Sequence, residues 1–426
     1  MASRASAKVS LWNSDTVYEL GLCRALEHTL GIWPTSCQDI FSKVRLSIVA
    51  FLEISMAMNL LREILTGCVI VDEMLNFLAL AAYAIMALLK VGVLRINRTK
   101  MELLIKSAVD DWSTIEDSST RETMRKYART GRFVFIFQSV SGFLSCVLIV
   151  WPSFGPFVAT LKSPENRFER SSAASFHNYS NFSSPLLHEE KDIVLPWSLP
   201  MGTSCFTYDI PLIFYALFYT LQTIQLFSTC AGNVGTDIYF FSISMHVCGQ
   251  FELLKMRFEN FGEIPDFCVC HEQVRALVRR HNHLMELSNN FEDSFNLLIL
   301  AQLLTNALIM SLLGIQLIMS IETGDGTTAI LALISFYILS LQLFLYSYAG
   351  DYLMSQIEKI RFAAYCGPWY DLSPTIVKDL MFVMCRSNRT FNLTAGKVVC
   401  MNMDNFKNIF KTMASYFSVL KIMFDV

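Results

Sequence analysis

The residues of this chain that could do chemistry are few and scattered. One group combines Cys268, Cys270 and His271 with His281 and His283 farther along. Cysteine and histidine are ligands that zinc prefers, but this spacing matches none of the usual zinc motifs. No nucleophile stands beside a base, and no phosphate-binding glycine loop or coherent acid pair occurs in the apolar stretches. We therefore expect no enzyme, no cofactor and no metal site.

The last apolar stretch, 400–424, carries polar residues at helical spacing. The polar positions, one turn apart, are Asp404, Asn408, Lys411, Thr412 and Ser415, and the same stripe continues through Val419 and Ile422. A polar stripe at membrane depth must face protein or a water-filled cavity. Two interpretations stay open from these residues alone. Either the stripe lines a pore, where Val419 and Ile422 would form an apolar constriction, or it meets polar atoms of the other spans in a monomer.

Composition indicates the elements that position such a stripe. Apolar residues make up 53% of the chain and charged residues 17%, which is too little charge to cover the surface of a soluble domain of this length. The net charge of −3 gives no reason to expect a nucleic-acid partner. The chain is therefore predicted to be a polytopic membrane protein embedded in a lipid bilayer.

Seven stretches are long and apolar enough to cross a bilayer as helices. They lie at about 44–66, 73–95, 132–160, 210–242, 296–321, 327–350 and 400–424. The first contains Glu53 and Arg62, which we expect to face protein or water because charges in lipid are costly. The predicted fold is thus an all-α membrane protein with seven transmembrane helices.

Basic residues indicate the orientation. Lysine and arginine are concentrated in the loops after the second, fourth and sixth spans, so the N-terminus (1–43) and these loops are predicted to be cytosolic. The C-terminus is then extracellular, as is the loop 161–208, which offers N-glycosylation acceptors at Asn178 and Asn181. No apolar signal-peptide core occurs in the first 35 residues. This orientation is the reverse of that of a G-protein-coupled receptor. The sequence also has no aspartate-arginine-tyrosine triplet after the third span and no Asn-Pro-x-x-Tyr motif in the seventh.

A short amphipathic helix is predicted in the cytosolic segment 351–399. Ser373 is a plausible N-cap, and Pro374 suits the first helical position. The apolar residues Val377, Leu380, Met381 and Met384 then recur at helical spacing. This face could pack on its own bundle or against neighbouring subunits, and spacing alone favours neither.

Several segments resemble those of the insect odorant receptor family. They are GIWP at 31–34, CFTYDIP at 205–211, Asp237, VRRHNHLMELSNNFEDSF at 278–295 and, most specifically, AYCGPWYDLSP at 364–374 with LTAGKVVCMNMDNFKNIFKTMASYF at 393–417. The resemblance implies an odorant-gated, nonselective cation channel in the plasma membrane of olfactory neuron dendrites. Four subunits would meet through a cytosolic anchor region, 351–399, and each would give its last helix, 400–426, to a central pore.

The same resemblance implies roles for individual residues. Ser415, Val419 and Ile422 would line the pore, with Val419 as the gate. The short loop at about 257–290 suggests a tuning subunit that forms a heterotetramer with a co-receptor subunit. A small, volatile, apolar odorant would bind in the outer half of the bundle 44–350. Its predicted contacts are Phe77, Ala81, Val147, Leu148, Trp151, Phe214, Tyr215, Phe218, Phe336 and Tyr337.

Other functions stay open as alternatives. A gustatory-type chemoreceptor channel shares the tail pattern loosely, and a G-protein-coupled receptor is less favoured because of the orientation. A transporter would show inverted repeats and matched broken helices, which the sequence lacks. Cys68 and Cys205 both fall near the outer surface and could pair, but nothing in the sequence determines the distance between them.

Overall fold

The computed structural model describes residues 12–36, 38–66, 71–162, 199–201, 211–260, 267–367, 369–388 and 391–423. Ten α-helices carry nearly all regular structure in these ranges. They are α1 (Ser14–Thr29), α2 (Ile40–Thr66), α3 (Val71–Ile96), α4 (Arg98–Ser113), α5 (Ser118–Lys162), α6 (Leu212–Glu259), α7 (Phe267–Thr323), α8 (Gly326–Cys366), α9 (Pro374–Ser387) and α10 (Met403–Met423). A two-stranded hairpin, β1 (Thr394–Ala395) and β2 (Val399–Cys400), precedes α10.

The seven predicted spans coincide with α2, α3, α5, α6, α7, α8 and α10. Six of them, α2 to α8 without the shorter α4, are long and apolar enough to cross a bilayer. Four of these helices continue well beyond their apolar stretches, and α7 with its 57 residues is about 85 Å long. The extension precedes the apolar stretch in α5 and α7 and follows it in α6 and α8. It is helical because these segments hold good helix formers and no proline. Much of what hydropathy alone predicts as loop is therefore rigid helix.

The two ends of the bundle differ in composition. We call the end that holds α1, α4 and α9 the basal end and the end that holds residues 199–201 the distal end. The main core lies toward the basal end, where aromatic rings of α6, α7 and α8 pack together. Phe240 stacks on Phe291 with ring centroids 5.0 Å apart, and Tyr346 lies 4.7 Å from Phe240. Such aromatic pairs hold long helices in a single register.

The N-terminal helix α1 is docked on this core. Asn13 caps it by accepting a hydrogen bond from the Thr16 amide at 2.8 Å, and Leu20 is fully buried. The GIWP segment follows, with Trp33 buried and Gly31 at a positive φ of 75°. A side chain at Gly31 would also collide with the backbone of Ser42, so this turn requires glycine.

The hairpin joins the basal core to the last helix. Its three-residue turn, 396–398, uses positive φ at Gly396 (60°) and Lys397 (63°), and the Val398 amide donates to the Ala395 carbonyl at 3.1 Å. The Gly396 amide donates to the Asn296 carbonyl of α7 at 2.8 Å. The Met401 amide donates to the Leu393 carbonyl at 2.8 Å, so the hairpin leads directly into α10.

Candidate functional site

The last helix has two unlike faces, and only the apolar one packs on its own bundle. Phe406 packs edge-on against Phe344 of α8 with ring centroids 5.7 Å apart, and it also contacts Phe410 at 4.7 Å. The polar stripe faces away from the chain. Its described members are all exposed: Asp404, Asn408, Lys411, Thr412 and Ser415. The interpretation in which the stripe meets polar atoms of the other spans of the same chain is therefore wrong for these residues.

The pore residues suggested by the resemblance lie on this helix. Ser415 is exposed and belongs to the stripe. The backbone of α10 also includes Val419 and Ile422, but their side chains lie outside the described residues. At 3.6 residues per turn they continue the line of Asp404 and Ser415. Their role stays a prediction.

The start of the last helix is held by charge as well as by the hairpin. Lys397, at the hairpin turn, forms ion pairs with Glu292 and, at 2.8 Å, with Asp293 of α7. Thr394 donates a hydrogen bond to Glu292. The two carboxylates beside Lys397 raise the pKa of its ammonium above the ordinary value, through hydrogen bonds from Lys397 to Asp293 and Glu292. Because α7 also runs through the bundle, it links the bundle interior to the base of α10.

A buried ion pair crosses the middle of the bundle. The Lys90 ammonium of α3 lies 2.6 Å from Asp237 of α6, and neither side chain is more than 4% exposed. Tyr346 donates to the same carboxylate at 2.5 Å, and Gln342 donates to its other oxygen. Gln342 in turn accepts from Gln302 of α7 at 2.8 Å. Every oxygen of Asp237 has a partner, as a charge buried at membrane depth requires.

A second buried carboxylate joins the first span to the bundle. Glu53 of α2 accepts hydrogen bonds from Ser228 at 2.8 Å and Thr229 at 2.6 Å, both on α6. Its side chain is 1% exposed. The expectation that Glu53 faces protein is confirmed. Arg62 lies nearer the distal end of the helix, where its side chain is 53% exposed and pairs with Glu63 at 3.2 Å.

The distal half of the bundle holds the residues predicted to bind a ligand, and part of the set comes together. Phe77 and Ala81 are buried in one apolar cluster with Met56, Leu60, Met201 and Leu226. Tyr215 is buried in a second cluster with Tyr219 and Phe157, and Val150 borders both clusters. Phe157 stacks on Tyr219 with centroids 3.8 Å apart. Sequence reasoning missed this stacked pair, although Phe157 follows Pro156 directly.

The other predicted contacts lie elsewhere. Leu148 and Phe336 are half-buried, and Phe336 belongs to a separate cluster with Ala79 and Ile309. The five remaining residues are 43% to 69% exposed on the single chain: Val147, Trp151, Phe214, Phe218 and Tyr337. In a bilayer these five face lipid or another subunit in the conformation described here. Asn178, Asn181, Cys68 and Cys205 lie outside the described residues.

The basal end contains a network of buried charges. His246 of α6 lies between two carboxylates, with Nδ1 2.9 Å from Glu19 and Nε2 3.3 Å from Asp111. Arg280 of α7 binds Asp111 at 2.6 Å. Burial by itself would raise the pKa of Asp111, but the hydrogen bonds and charges of His246 and Arg280 hold it below its usual value. The network ties α1 and α4 to the long helices.

Two histidines near this network have unlike surroundings. His281 is fully buried, and its Nε2 lies 3.0 Å from the Ser387 hydroxyl of α9. His283, two residues on, is exposed and contacts Ser107 of α4. The sequence position of both histidines predicts that they face a subunit interface or solvent. The burial of His281 contradicts this prediction for that residue, whereas His283 is exposed. Residues two apart lie on opposite sides of a helix, so the two side chains point apart, but the packing of α9 decides which of them is buried.

The helix α9 begins at Pro374 after Ser373, as predicted, but its buried face is shifted. The residues that pack on the basal end are Ile376, Leu380 and Val383, whereas Met381 is 54% exposed. The shift follows from the neighbouring helix, which covers the side centred on Leu380. Large apolar side chains remain exposed around α9: Phe362, Tyr365, Tyr370, Met381 and Phe382. We call these five residues the aromatic surface.

Glu27 at the basal end is a buried carboxylate with an unsatisfied oxygen. Glu27 of α1 is 2% exposed, its Oε1 is unsatisfied within the described residues, and it points toward Gly235 of α6. Burial raises the pKa of Glu27 from 4.5 to about 8. The folded protein therefore holds this proton more tightly than the unfolded chain does, so Glu27 makes stability fall as pH rises from about 4.5 to about 8.

Replacing Glu27 with glutamine should remove this pH dependence. At pH 7.5 we expect E27Q to stabilise the docked N-terminal helix by on the order of 2 kcal/mol, because no charge has to be buried. The measurement is the thermal unfolding midpoint of detergent-solubilised protein between pH 6 and 8.5. The exposed Glu116 provides the control, since E116Q should keep the same dependence of the unfolding midpoint on pH as the unmodified protein. If the unfolding midpoints of E27Q and of the unmodified protein change equally with pH, the raised pKa of Glu27 is contradicted.

Comparison with known proteins is in keeping with this architecture. A family model described as the 7tm odorant receptor matches residues 70–414. Odorant receptor 10 of Aedes albopictus is 22% identical over 217 residues, 50% of this chain and 56% of the relative. Odorant receptor Or2 of Anopheles gambiae is 20% identical over 348 residues, 79% of this chain and 81% of the relative. The chain spans about half the length of most of the curated relatives it matches.

A solved structure has the same fold. The insect olfactory receptor OR5 from Machilis hrabei, in complex with eugenol, superposes with a TM-score of 0.73 at 12% sequence identity. The superposition covers 96% of this chain and 100% of that one. At this identity the likeness concerns the fold, namely seven transmembrane helices with the helical basal end described above.

Proposed function

The chain belongs to the 7tm odorant receptor family, and from that premise we propose that it is the odorant-binding subunit of a ligand-gated, nonselective cation channel. It is a multi-pass membrane protein with an all-α fold of seven transmembrane helices, and it is a receptor and not an enzyme. Its site of action in this proposal is the plasma membrane of the olfactory neuron's dendrite.

The proposed orientation places the basal end in the cytosol. The excess of lysine and arginine in the segments at this end supports it. The N-terminus is then cytosolic, the C-terminus extracellular, and Asn178 and Asn181 are glycosylated on the outer side. The charged network of Glu19, His246 and Asp111 would accordingly lie at or below the inner headgroups, where burying charges costs less than in lipid.

The proposed pore is lined by the last helix, and the two faces of α10 carry this proposal. Phe406 and Phe410 pack on the chain's own bundle, whereas the polar stripe from Asp404 to Ser415 points outward. In a bilayer a polar face that is directed away from its own chain needs water or another subunit. Copies arranged around a central axis supply both. The stripe would line the water-filled path, and Val419 and Ile422 would narrow it.

The proposed partners are further subunits of the same fold. The aromatic surface beside α9 is directed away from its own chain, and a patch of this kind on a cytosolic segment fits a protein interface. In a heterotetramer with the family's co-receptor subunit, this surface would hold the subunits together below the membrane. The ion pairs of Lys397 with α7 would then connect that assembly to the base of the pore helix.

The proposed ligand is a small, volatile, mostly apolar odorant bound in the distal half of the bundle. The buried residues Phe77, Ala81 and Tyr215 line the two adjoining clusters, together with Tyr219 and Phe157. Aromatic and aliphatic side chains with few polar groups suit such a ligand. Five candidate contacts exposed on the single chain would reach an odorant only from a cleft between helices or subunits: Val147, Trp151, Phe214, Phe218 and Tyr337.

The proposal is tested by whole-cell current in cells that express this chain with an insect co-receptor, across a panel of volatile odorants. We expect odorant-evoked cation current in these cells and none in cells with the co-receptor alone. In the S415C variant, a water-soluble, positively charged thiol reagent should reduce the open-channel current at least twofold, because Ser415 faces the water-filled path.

The matched control is I409C on the same helix. Ile409 packs against the bundle core, so the same reagent should leave its current unchanged. Surface biotinylation verifies delivery of each variant. If S415C reaches the surface and responds to odorant but is insensitive to the reagent, the last helix does not line the pore. A response through a cytosolic second messenger without direct current would contradict the channel itself.

A further inference from the structure

A lysine lies within the polar stripe of the last helix. Lys411 is exposed, is one turn before Ser415, and has no hydrogen bond or ion pair to any described residue. Lys407, one turn closer to the base, differs because it forms an ion pair with Asp404 at 3.1 Å. The charge of Asp404 is therefore shared with Lys407, and Lys411 carries a positive charge that nothing in the described part of the chain neutralises.

The position of Lys411 along the helix is well inside the predicted path. It is eight residues beyond Met403, about 12 Å above the start of α10, and Ser415 follows about 6 Å farther on. The other described stripe residues at this level, Asn408 and Thr412, are neutral, and Thr412 donates its hydroxyl to the Asn408 carbonyl. The electrostatic potential at this level of the stripe is therefore dominated by one ammonium for each copy of the chain.

We propose that Lys411 determines the relative permeability of the channel to divalent and monovalent cations, lowering that of calcium. This inference rests on the proposed function, since it requires the stripe to line the conduction path. A fixed positive charge raises the energy of a divalent cation twice as much as that of a monovalent one. The effect persists in physiological salt because an ion in a narrow pore passes closer to the Lys411 ammonium than the Debye length of about 8 Å.

The proposal has a consequence for assembly. Each copy of this chain places one Lys411 on the path, so calcium permeability falls as more copies enter the channel. Four copies would place four ammonium groups at one level, where they repel each other as well as the permeant ion. A subunit without a cation at this level lowers this charge when it enters the ring. The chain is accordingly a poor former of calcium-permeable homomers and conducts calcium best when its copies are few.

The test is the reversal potential of the odorant-evoked current with calcium as the main external cation, in cells that also express the co-receptor. We expect K411Q to raise the calcium-to-sodium permeability ratio about threefold and K411E about tenfold. K411R should keep the original ratio, because it keeps the charge. The reversal potential does not depend on the number of channels, so reduced expression of a variant does not alter the result.

Two further variants separate the possible outcomes. K378Q neutralises an exposed lysine on α9, away from the stripe, and should leave the ratio unchanged. The S415C experiment reports whether the stripe lines the pore at all. If S415C is sensitive to the thiol reagent while K411Q and K411E keep the original ratio, the proposal for Lys411 is wrong and the pore assignment stands. If S415C is insensitive as well, both are overturned.

Discussion

Replacing Lys90 with methionine should reduce the amount of folded receptor at the cell surface at least tenfold. Methionine keeps an unbranched apolar stem, one atom shorter than the lysine side chain, but removes the cation that lies 2.6 Å from Asp237. Asp237 is 4% exposed and cannot reach water. A buried carboxylate that loses its cation costs about 3–5 kcal/mol, which is a large part of the stability of a folded domain. Surface biotinylation and the thermal unfolding midpoint of solubilised protein measure the loss.

Two comparisons show whether the stranded charge is the cause. The double variant K90M/D237N removes both charges, keeps an oxygen that can accept from Tyr346, and should recover most of the folded protein. K100M removes a lysine whose ion pair with Asp293 is long, at 3.9 Å, and the two side chains are 43% and 47% exposed. We therefore expect K100M to change the free energy of unfolding by no more than about 0.5 kcal/mol. A K90M variant as abundant and as stable as K100M would contradict the buried ion pair.

Replacing Gly350 with alanine should have a similarly large effect at the base of the last helix. A Cβ at Gly350 of α8 would overlap the carbonyl oxygen of Met401 and lie 3.2 Å from the Leu393 side chain. Met401 is the second residue before α10. A backbone carbonyl cannot move aside as a flexible side chain can, so the variant must displace the segment that leads into the last helix. Overpacking of this kind costs about 1–3 kcal/mol, and a backbone obstacle places this site at the upper end.

The measurement for G350A is again surface abundance, together with odorant-evoked current. Gly92 in α3 provides the matched control, because a Cβ there would meet nothing within 4 Å. Alanine favours a helix over glycine by up to about 1 kcal/mol, so G92A should equal or exceed the unmodified protein in abundance. We expect G350A to lose at least four-fifths of its current, both from reduced folding and from a displaced pore helix. Equal behaviour of G350A and G92A would contradict the close approach.

The two predictions concern the same connection. The Lys90–Asp237 pair lies in the bundle beside Gln342 and Tyr346 of α8, and Gly350 is one turn farther along that helix. Between them, Phe344 and Tyr348 of α8 stack with centroids 5.9 Å apart, and Phe344 packs against Phe406 of the last helix. The helix α8 therefore contacts both the buried polar cluster and the proposed pore helix, and it links them directly.

The sequence by itself determined the features that depend on local composition. A run of about 20 apolar residues can satisfy its backbone at membrane depth only as a helix, so hydropathy was sufficient for six of the seven spans, whereas α10 has a weaker apolar signal. The helical period was sufficient to predict the two faces of α10, and Pro374 was sufficient to predict where α9 begins. The expectation for Glu53 succeeded for the same reason, because a charge in a span has no stable position toward lipid.

Only the tertiary structure decided the features that depend on residues far apart in the chain. Lys90 and Asp237 are 147 positions apart, and nothing near either residue specifies the other. Lys90 lies close to the end of its span, where a lysine commonly reaches the headgroups, so its sequence position gave no sign of burial. His281 and the shifted face of α9 were likewise determined by the neighbouring helices. Burial depends on how the helices pack together, whereas helix formation and amphipathicity depend on the sequence of each segment. The sequence alone therefore predicted the helices but not their packing partners.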